Sequence, residues 1–408
     1  MLTYFEPYSS HPLIDSVNFS REKWQEYLSF RTDAYAFQFD KKGQIKRINS
    51  FQSFEIKTFD KYLNLIQDFA DKSNFRRFFK EHQSYYKNVK KEYEKINMIP
   101  EIQDFLTSEF GNYFSETKYS IVLSAFVGAQ NLHRDIDSIH TADFVPVDEQ
   151  ILQGNNNLDN YKKSIQIHGL FTEMNHGYIN PITDNFSELL KEKFKENIWD
   201  DSSGYAGYKT AVFNEYMTWA VYDIFNTKYF PDIANEVNLY WHFQNDNRGF
   251  PYSYYFAQNF KQLYLKKQQN ETIKDIYPQI IKWCGTQEEL TKPTLISPID
   301  SFIATKEVQE FNFKFSEPLK RMKEFDVLIE SPERIIDTIR INNQHNLKWS
   351  DDNQSISFTL NIPEIPIFYV TFNWWGTTIP LYNEKGILIK SNSYVKVLNR
   401  SMLMKKGD

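Results

Sequence analysis

The chain has 408 residues, a net charge of −6, 41% hydrophobic and 25% charged residues, the balance of a folded protein of roughly two or three domains. That balance excludes a mainly disordered chain; there is no basic footprint for nucleic acid and no apolar run of the ~18 residues a membrane span needs. Aromatics are the anomaly: Phe 35, Tyr 26 and Trp 8 make up 17% of the chain, so ring contacts should dominate the core, while only 13 glycines argue against glycine-rich phosphate loops.

The first residues, Met1-Leu-Thr-Tyr-Phe-Glu-Pro, lack the basic start and apolar stretch of a signal peptide. A cytoplasmic protein or one whose signal has been trimmed is expected. Phe59, Tyr62, Leu63, Ile66 and Phe69 fall at helix-face spacing, as do Phe75, Phe78, Phe79, His82, Tyr86, Val89 and Tyr93. His82, on that apolar stripe, reads as a hydrogen-bonded core histidine and not as a ligand. β-Branched and aromatic residues predict a strand from Tyr119 to Val127 and a second around Asp143 to Val147. Gln150 to Asn160 reads as a polar loop.

Helical pattern returns from about Leu170 to Cys284, with breaks predicted at Asn180-Pro181, at Asp200 to Gly207 and at Asn245 to Pro251. Between Tyr208 and Tyr229, apolar residues occupy nearly every face, which predicts a helix buried on most sides. Cys284 is the single cysteine, so no intramolecular disulfide forms and no cysteine-rich metal pattern exists; it reads as a small buried hydrophobe at a helix end. Beyond Lys292-Pro293 the pattern becomes that of strands: Phe311, Phe313 and Phe315 alternate, as do Ile356, Phe358 and Leu360, then Phe368, Val370 and Phe372. Turn-forming clusters separate them, and the segment reads as a small immunoglobulin-type β-sandwich. Trp374 and Trp375 are expected to pack beside a turn instead of forming a sugar platform. The expected domains are therefore 1–290, mixed α+β, and 291–408, the β-sandwich.

One local arrangement looks like a site: Ile165-Gln-Ile-His168-Gly-Leu-Phe-Thr172-Glu173-Met-Asn-His176-Gly-Tyr-Ile-Asn180-Pro181. Glu173 and His176 are three apart and share a helix face. Alone, Glu-x-x-His is weak, since a chain of this length holds about one by chance. His168 and His176 lie about 12 Å apart along a continuous helix, too far to share a zinc ion whose two ligand nitrogens are at most about 4 Å apart.

With its surroundings, the segment resembles a family of bacterial zinc-metallopeptidase-like proteins, a domain of unknown function whose core helix carries H-E-x-x-H followed by Asn-Pro. The likeness covers about residues 50–265. Phe75-Arg-Arg-Phe-Phe-Lys-Glu-His82 looks like the family's aromatic first helix, and Tyr119 to Gly128 is similar to its strand leading to the site. Asn214-Glu215-Tyr-Met-Thr-Trp-Ala220 resembles the helix that supplies the third metal ligand, and Arg248-Gly249-Phe250 the opening of the closing helix. The terminal strands are similar to immunoglobulin-like modules of bacterial envelope proteins.

The resemblance implies a gluzincin-like, mainly helical α+β domain with His176 and Glu215 as zinc ligands and Glu173 as general base. It also places Thr172 where the family has its first histidine. A neutral hydroxyl is a poor zinc ligand, which leaves two protein ligands where catalytic zinc takes three. Weak or absent zinc and little hydrolysis are expected: a pseudoenzyme holding peptide or protein in the former cleft. Two alternatives stand beside it. One is an active zinc metallopeptidase with a substitute ligand, His133 or His140 being the nearest histidines before the motif. The other is an envelope binding or scaffold protein acting through the sandwich. The resemblance points to the bacterial envelope or secretion, with a cytoplasmic location left open; oligomeric state and ligand identity are not legible.

Overall fold

Apolar residues repeating every three or four positions give helices through most of the chain as far as residue 285, and the alternating residues beyond 293 give strands. The computed structural model describes residues 2–111, 118–124, 131–137, 140–147, 158–205, 207–288, 290–298 and 301–404. It divides into two compact units, Met1–Tyr178 and Ile179–Asp408.

In the first unit, helix α1 (Trp24–Asp33) leads to a hairpin of β1 (Phe37–Phe39) and β2 (Ile45–Arg47). Asp40 makes the turn, its carboxylate accepting from the backbone N–H of Lys42 and Gln44 at 2.8 and 2.9 Å. Four helices follow: α2 (Leu63–Lys72), α3 (Phe75–Glu81), α4 (Gln83–Glu94) and α5 (Ile99–Phe110). Phe78 anchors this layer, with the rings of Tyr4 and Phe5 at 4.7 and 4.8 Å. His82 stacks on Phe78 at 4.0 Å and its Nδ1 meets the Phe78 carbonyl at 2.7 Å, so it is hydrogen-bonded as expected, though only half-buried.

A three-stranded sheet follows, ordered β3 (Lys118–Ser124), β5 (His140–Pro146), β4 (Leu132–Asp137), with β3 parallel and β4 antiparallel to β5. Both expected strands are present. The first is seen as far as Ser124, and 125–127 lie outside the described residues; the second begins three residues before Asp143. Strand β4, whose charged sequence carries no strand signal, was not predicted. Phe144 of β5 packs on Phe51 and Tyr35, each at 5.9 Å, covering one face of the sheet. The expected polar loop falls mostly outside the described residues, except that Asn160 opens a helix.

That helix, α6 (Asn160–Asn185), corrects two expectations: it starts about ten residues before Leu170 and continues through Pro181. A proline inside a helix costs about 3 kcal/mol through the lost N–H bond and ring clash. Lateral contacts around Pro181 offset that cost. Asn180 Oδ1 accepts from Asn214 Nδ2 at 2.8 Å, the Thr183 hydroxyl donates to Asn214 Oδ1 at 2.5 Å, and Ile179 and Ile182 are buried.

The second unit continues with α7 (Ser187–Lys193), α8 (Lys209–Tyr229), α9 (Ala234–Asn247), α10 (Ser253–Lys266) and α11 (Ile273–Gly285). As its sequence predicts, α8 is buried on almost every face. Trp199 packs beside it, 5.3 Å from the Tyr216 ring and 5.6 Å from Phe256, and the Tyr216 hydroxyl donates to the Trp199 carbonyl at 2.7 Å. The breaks expected near 200–207 and 245–251 are where the helices end. Cys284 is fully buried in α11, and burial pushes its thiol up, which suits a packing residue.

The strands form two sheets. One is ordered β11 (Lys348–Trp349), β12 (Ser355–Asn361), β8 (Val308–Phe315), β6 (Leu295–Ser297). The other is ordered β10 (Ile335–Ile341), β9 (Phe325–Glu330), β13 (Ile367–Phe372), β14 (Ser393–Asn399), β7 (Ser301–Ala304). Their inner faces share one core: Phe313 of the first sheet meets Phe372 of the second edge-on at 4.9 Å, with Phe311, Phe358 and Phe325 around them. The alternating phenylalanines are the inward set. The unit boundary at 178/179 differs from the change of pattern near 290 because helices and strands of the second unit touch: Leu239, Phe243 and Tyr254 cluster with Leu388. Trp374 is 5% and Trp375 73% exposed, so only the former packs. The chain as a whole is mixed α+β, and among the described residues no helix is long and apolar enough to cross a membrane.

Candidate functional site

Helix α6 presents Thr172 and Glu173 to the interior, 3% and 6% exposed, with His176 half-buried one turn on. Neither polar side chain is left alone in that setting, as burial requires. The Thr172 hydroxyl donates back along the helix to the Gly169 carbonyl at 3.0 Å and accepts from Asn131 Nδ2 at 3.1 Å. The same Asn131 nitrogen donates to Glu173 Oε1 at 2.5 Å. One amide therefore bridges the two residues that the family resemblance sets at the first-ligand and general-base positions. A Cβ at Gly169, a turn earlier, would lie 3.5 Å from the Asn131 side chain, in ordinary van der Waals contact.

Asn131 immediately precedes β4, and the sheet continues the polar cluster. His133 on β4 stands opposite Asp143 on β5, its Nδ1 at 2.6 Å from Asp143 Oδ1, and the Tyr119 hydroxyl of β3 donates to the other oxygen. Asp143 is fully buried. Burial works against charge on His133, but the hydrogen bond to Asp143 and its charge, followed by the charges of Glu173 and Asp135, prevail and hold the imidazole above its ordinary range. Burial, then Asp143, pushes the Tyr119 phenol well up. Burial lowers the Arg31 guanidinium, opposed by Tyr27 and by the charge of Glu173. Glu173 is thus buried, with an amide donor on Oε1 and with the side chains of His133 and Arg31 in its field.

A general base needs an oxygen within hydrogen-bond reach of the water it activates. Here Oε1 is already engaged by Asn131, and the residue is nearly inaccessible. Glu215 lies half-buried on α8, in the second unit, while Glu173 and His176 belong to the first. His168 is on α6, two turns before His176, and His140 Nε2 meets the Ser120 hydroxyl at 2.9 Å. Among the described residues, no group of three His, Cys, Asp or Glu side chains stands together to hold a metal ion.

Sequence reading missed Asn131, the His133–Asp143 pair and a second polar cluster in the other unit. In the last, His242 of α9 lies between Asp223 of α8 and Ser253 of α10, with Nε2 3.0 Å from Asp223 Oδ2 and Nδ1 2.7 Å from Ser253 Oγ. With the carboxylate accepting, Nε2 carries the proton and Nδ1 accepts from the serine. The order Asp, His, Ser is that of a nucleophilic triad, but all three are at most 5% exposed, so the cluster pins three helices together and offers the serine to no substrate. No spacing rule would find it, because the residues meet only through helix packing. No family model, curated protein or solved structure matches this chain.

Proposed function

We propose that this chain is a degenerate, gluzincin-like metallopeptidase relative that binds peptide or protein in the former active-site cleft with little or no hydrolysis. The observation that carries this reading is the Asn131 bridge between Thr172 and Glu173. In a working site the first position would aim an imidazole nitrogen at a cation and the glutamate would face the metal-bound water. Here the first position is a hydroxyl turned to Gly169 and Asn131, and the glutamate is bonded to the same asparagine. His176 and Glu215 remain as the expected ligands, two where catalytic zinc takes three. The strand order supports an immunoglobulin-type sandwich after residue 291: β11–β12–β8–β6 opposed by β10–β9–β13–β14–β7 follows the two-sheet order of that fold, with a leading strand that switches sheets. An envelope or secreted location belongs to the same proposal.

Metal analysis after gel filtration is the test. Wild-type protein should carry far less than one zinc per chain and should retain unstructured peptides uncleaved. Thr172→His should gain stoichiometric zinc and a higher melting temperature by mass action, and any hydrolysis it acquires should vanish on adding Glu173→Gln. Stoichiometric zinc with peptide cleavage in the wild type would overturn the degenerate reading. It would favour the second one, an active enzyme with His133 as substitute ligand. That reading rests on Asp143 orienting the His133 ring through Nδ1, as carboxylates do behind metal-bound histidines, and His133→Ala should then release the metal.

A further inference from the structure

From Lys72 to Lys95 the chain carries eight Lys and Arg and three Glu, a local balance of +5 in a protein of net charge −6. Helices α3 and α4 span most of this segment and meet at His82, which accepts at its carbonyl from Tyr86 N (3.3 Å) and donates from its own N to Phe78 O (3.1 Å). At 100° per residue, Arg76, Phe79 and Lys80 fall within an arc of about 100° on α3, and Tyr86, Lys87 and Lys91 within about 140° on α4; the ring contact of Phe79 with Tyr86 joins the two arcs. Phe78 and Val89, turned away from these arcs, are buried, as is Tyr93 at the edge beside Tyr86. The outward arcs are therefore not needed by the core.

Two features set this face apart from an ordinary solvated helix. The three glutamates are already matched by Arg77, Lys90 and Lys95, while Lys80, Lys87 and Lys91 are exposed and enter no ion pair among the described residues. In the middle of these cations stands Phe79, 46% exposed, with its ring 5.2 Å from that of Tyr86. Leaving a phenylalanine in water forgoes burial that the rest of this aromatic chain exploits.

We infer that this face of α3 and α4 docks on an anionic phospholipid surface. Unpaired lysines at headgroup level, with a phenylalanine and a tyrosine between them able to enter the acyl boundary, are what such a surface recognises. The inference does not depend on the peptidase-like reading.

The test uses the full chain and sedimentation with vesicles of phosphatidylcholine alone or mixed equally with phosphatidylglycerol, at low and high salt. Binding is expected to the anionic vesicles only, and to disappear at high salt. Each lysine lost should lower the partition about fivefold, so Lys80→Glu/Lys87→Glu/Lys91→Glu should lower it at least a hundredfold. Phe79→Ala, which keeps every charge, should lower it several-fold. All four positions are exposed, and unchanged circular dichroism would show both variants folded. No binding to anionic vesicles, equal binding to neutral ones, or unchanged binding by either variant overturns the inference. So does capture of single-stranded RNA by the same lysines without vesicle binding.

Discussion

Replacing Asp143 tests whether the polar cluster behind Glu173 is held as its geometry implies. Asp143 is fully buried and accepts from the Tyr119 hydroxyl and from His133 Nδ1. Asp143→Ala leaves both half-buried partners without it, and removing one member of a buried ion pair costs about 3–5 kcal/mol. Asp143→Asn keeps the shape and one acceptor but loses the charge, so about 1.5–3 kcal/mol is expected, the worth of a hydrogen bond to a charged group. The sign of the pH dependence follows from the raised His133 value. A histidine whose folded pKa exceeds its unfolded value, about 6.5, contributes stability that is fully present below that value and is lost as pH rises through the folded one. The gap between wild type and Asp143→Asn should therefore be larger at pH ~5.5, below the unfolded value, than at pH ~9, toward which the contribution is lost. Urea unfolding followed by tryptophan fluorescence and by far-ultraviolet circular dichroism would measure it; both probes are needed because a chain of two compact units need not unfold in one step. An equal loss at both pH values, or a loss below about 0.5 kcal/mol for Asp143→Asn, within the range of ordinary surface changes, would refute the reasoning.

Three further outcomes are expected. His242→Leu strands Asp223 and Ser253 in the interior and should cost about 3–5 kcal/mol by chemical denaturation, whereas Ser253→Ala should cost about 1 kcal/mol and leave no serine-directed reactivity to lose; labelling of Ser253 by a fluorophosphonate probe would contradict the closed cluster. At Gly249, φ is +94° and a Cβ would lie 2.4 Å from the Asp201 carbonyl oxygen, so Gly249→Ala should lower stability by well over about 1 kcal/mol, and a neutral result would mean that the 200–207 and 245–251 loops do not pack as seen. Residues 293–408 contain the whole phenylalanine core of the two sheets, so that segment should show its own cooperative thermal transition; a featureless melt would place the folding boundary elsewhere.

Periodicity alone determined much of this fold. The burial of α8 on nearly every side, the inward Phe78, Val89 and Tyr93 of α3 and α4, and the inward set of Phe311, Phe313 and Phe315 follow from where apolar side chains recur, because helices and strands each present a fixed repeat to the core; Phe79, read on the same aromatic stripe, is instead exposed. Composition likewise excluded a mainly disordered chain, and the sequence holds no apolar run long enough for a membrane span. Tertiary structure decided the rest. Proline 181 stays inside α6 because Asn180 and Thr183 find Asn214, more than thirty residues away. Charged β4 is a strand because β5 offers it a ladder, with His133 opposite Asp143. At the candidate site the motif frame of Thr172, Glu173 and His176 could be read from the sequence. That Asn131 ties Thr172 to Glu173 could not be read, because a hydrogen bond between residues forty positions apart has no local signature and forms only when sheet and helix are brought together.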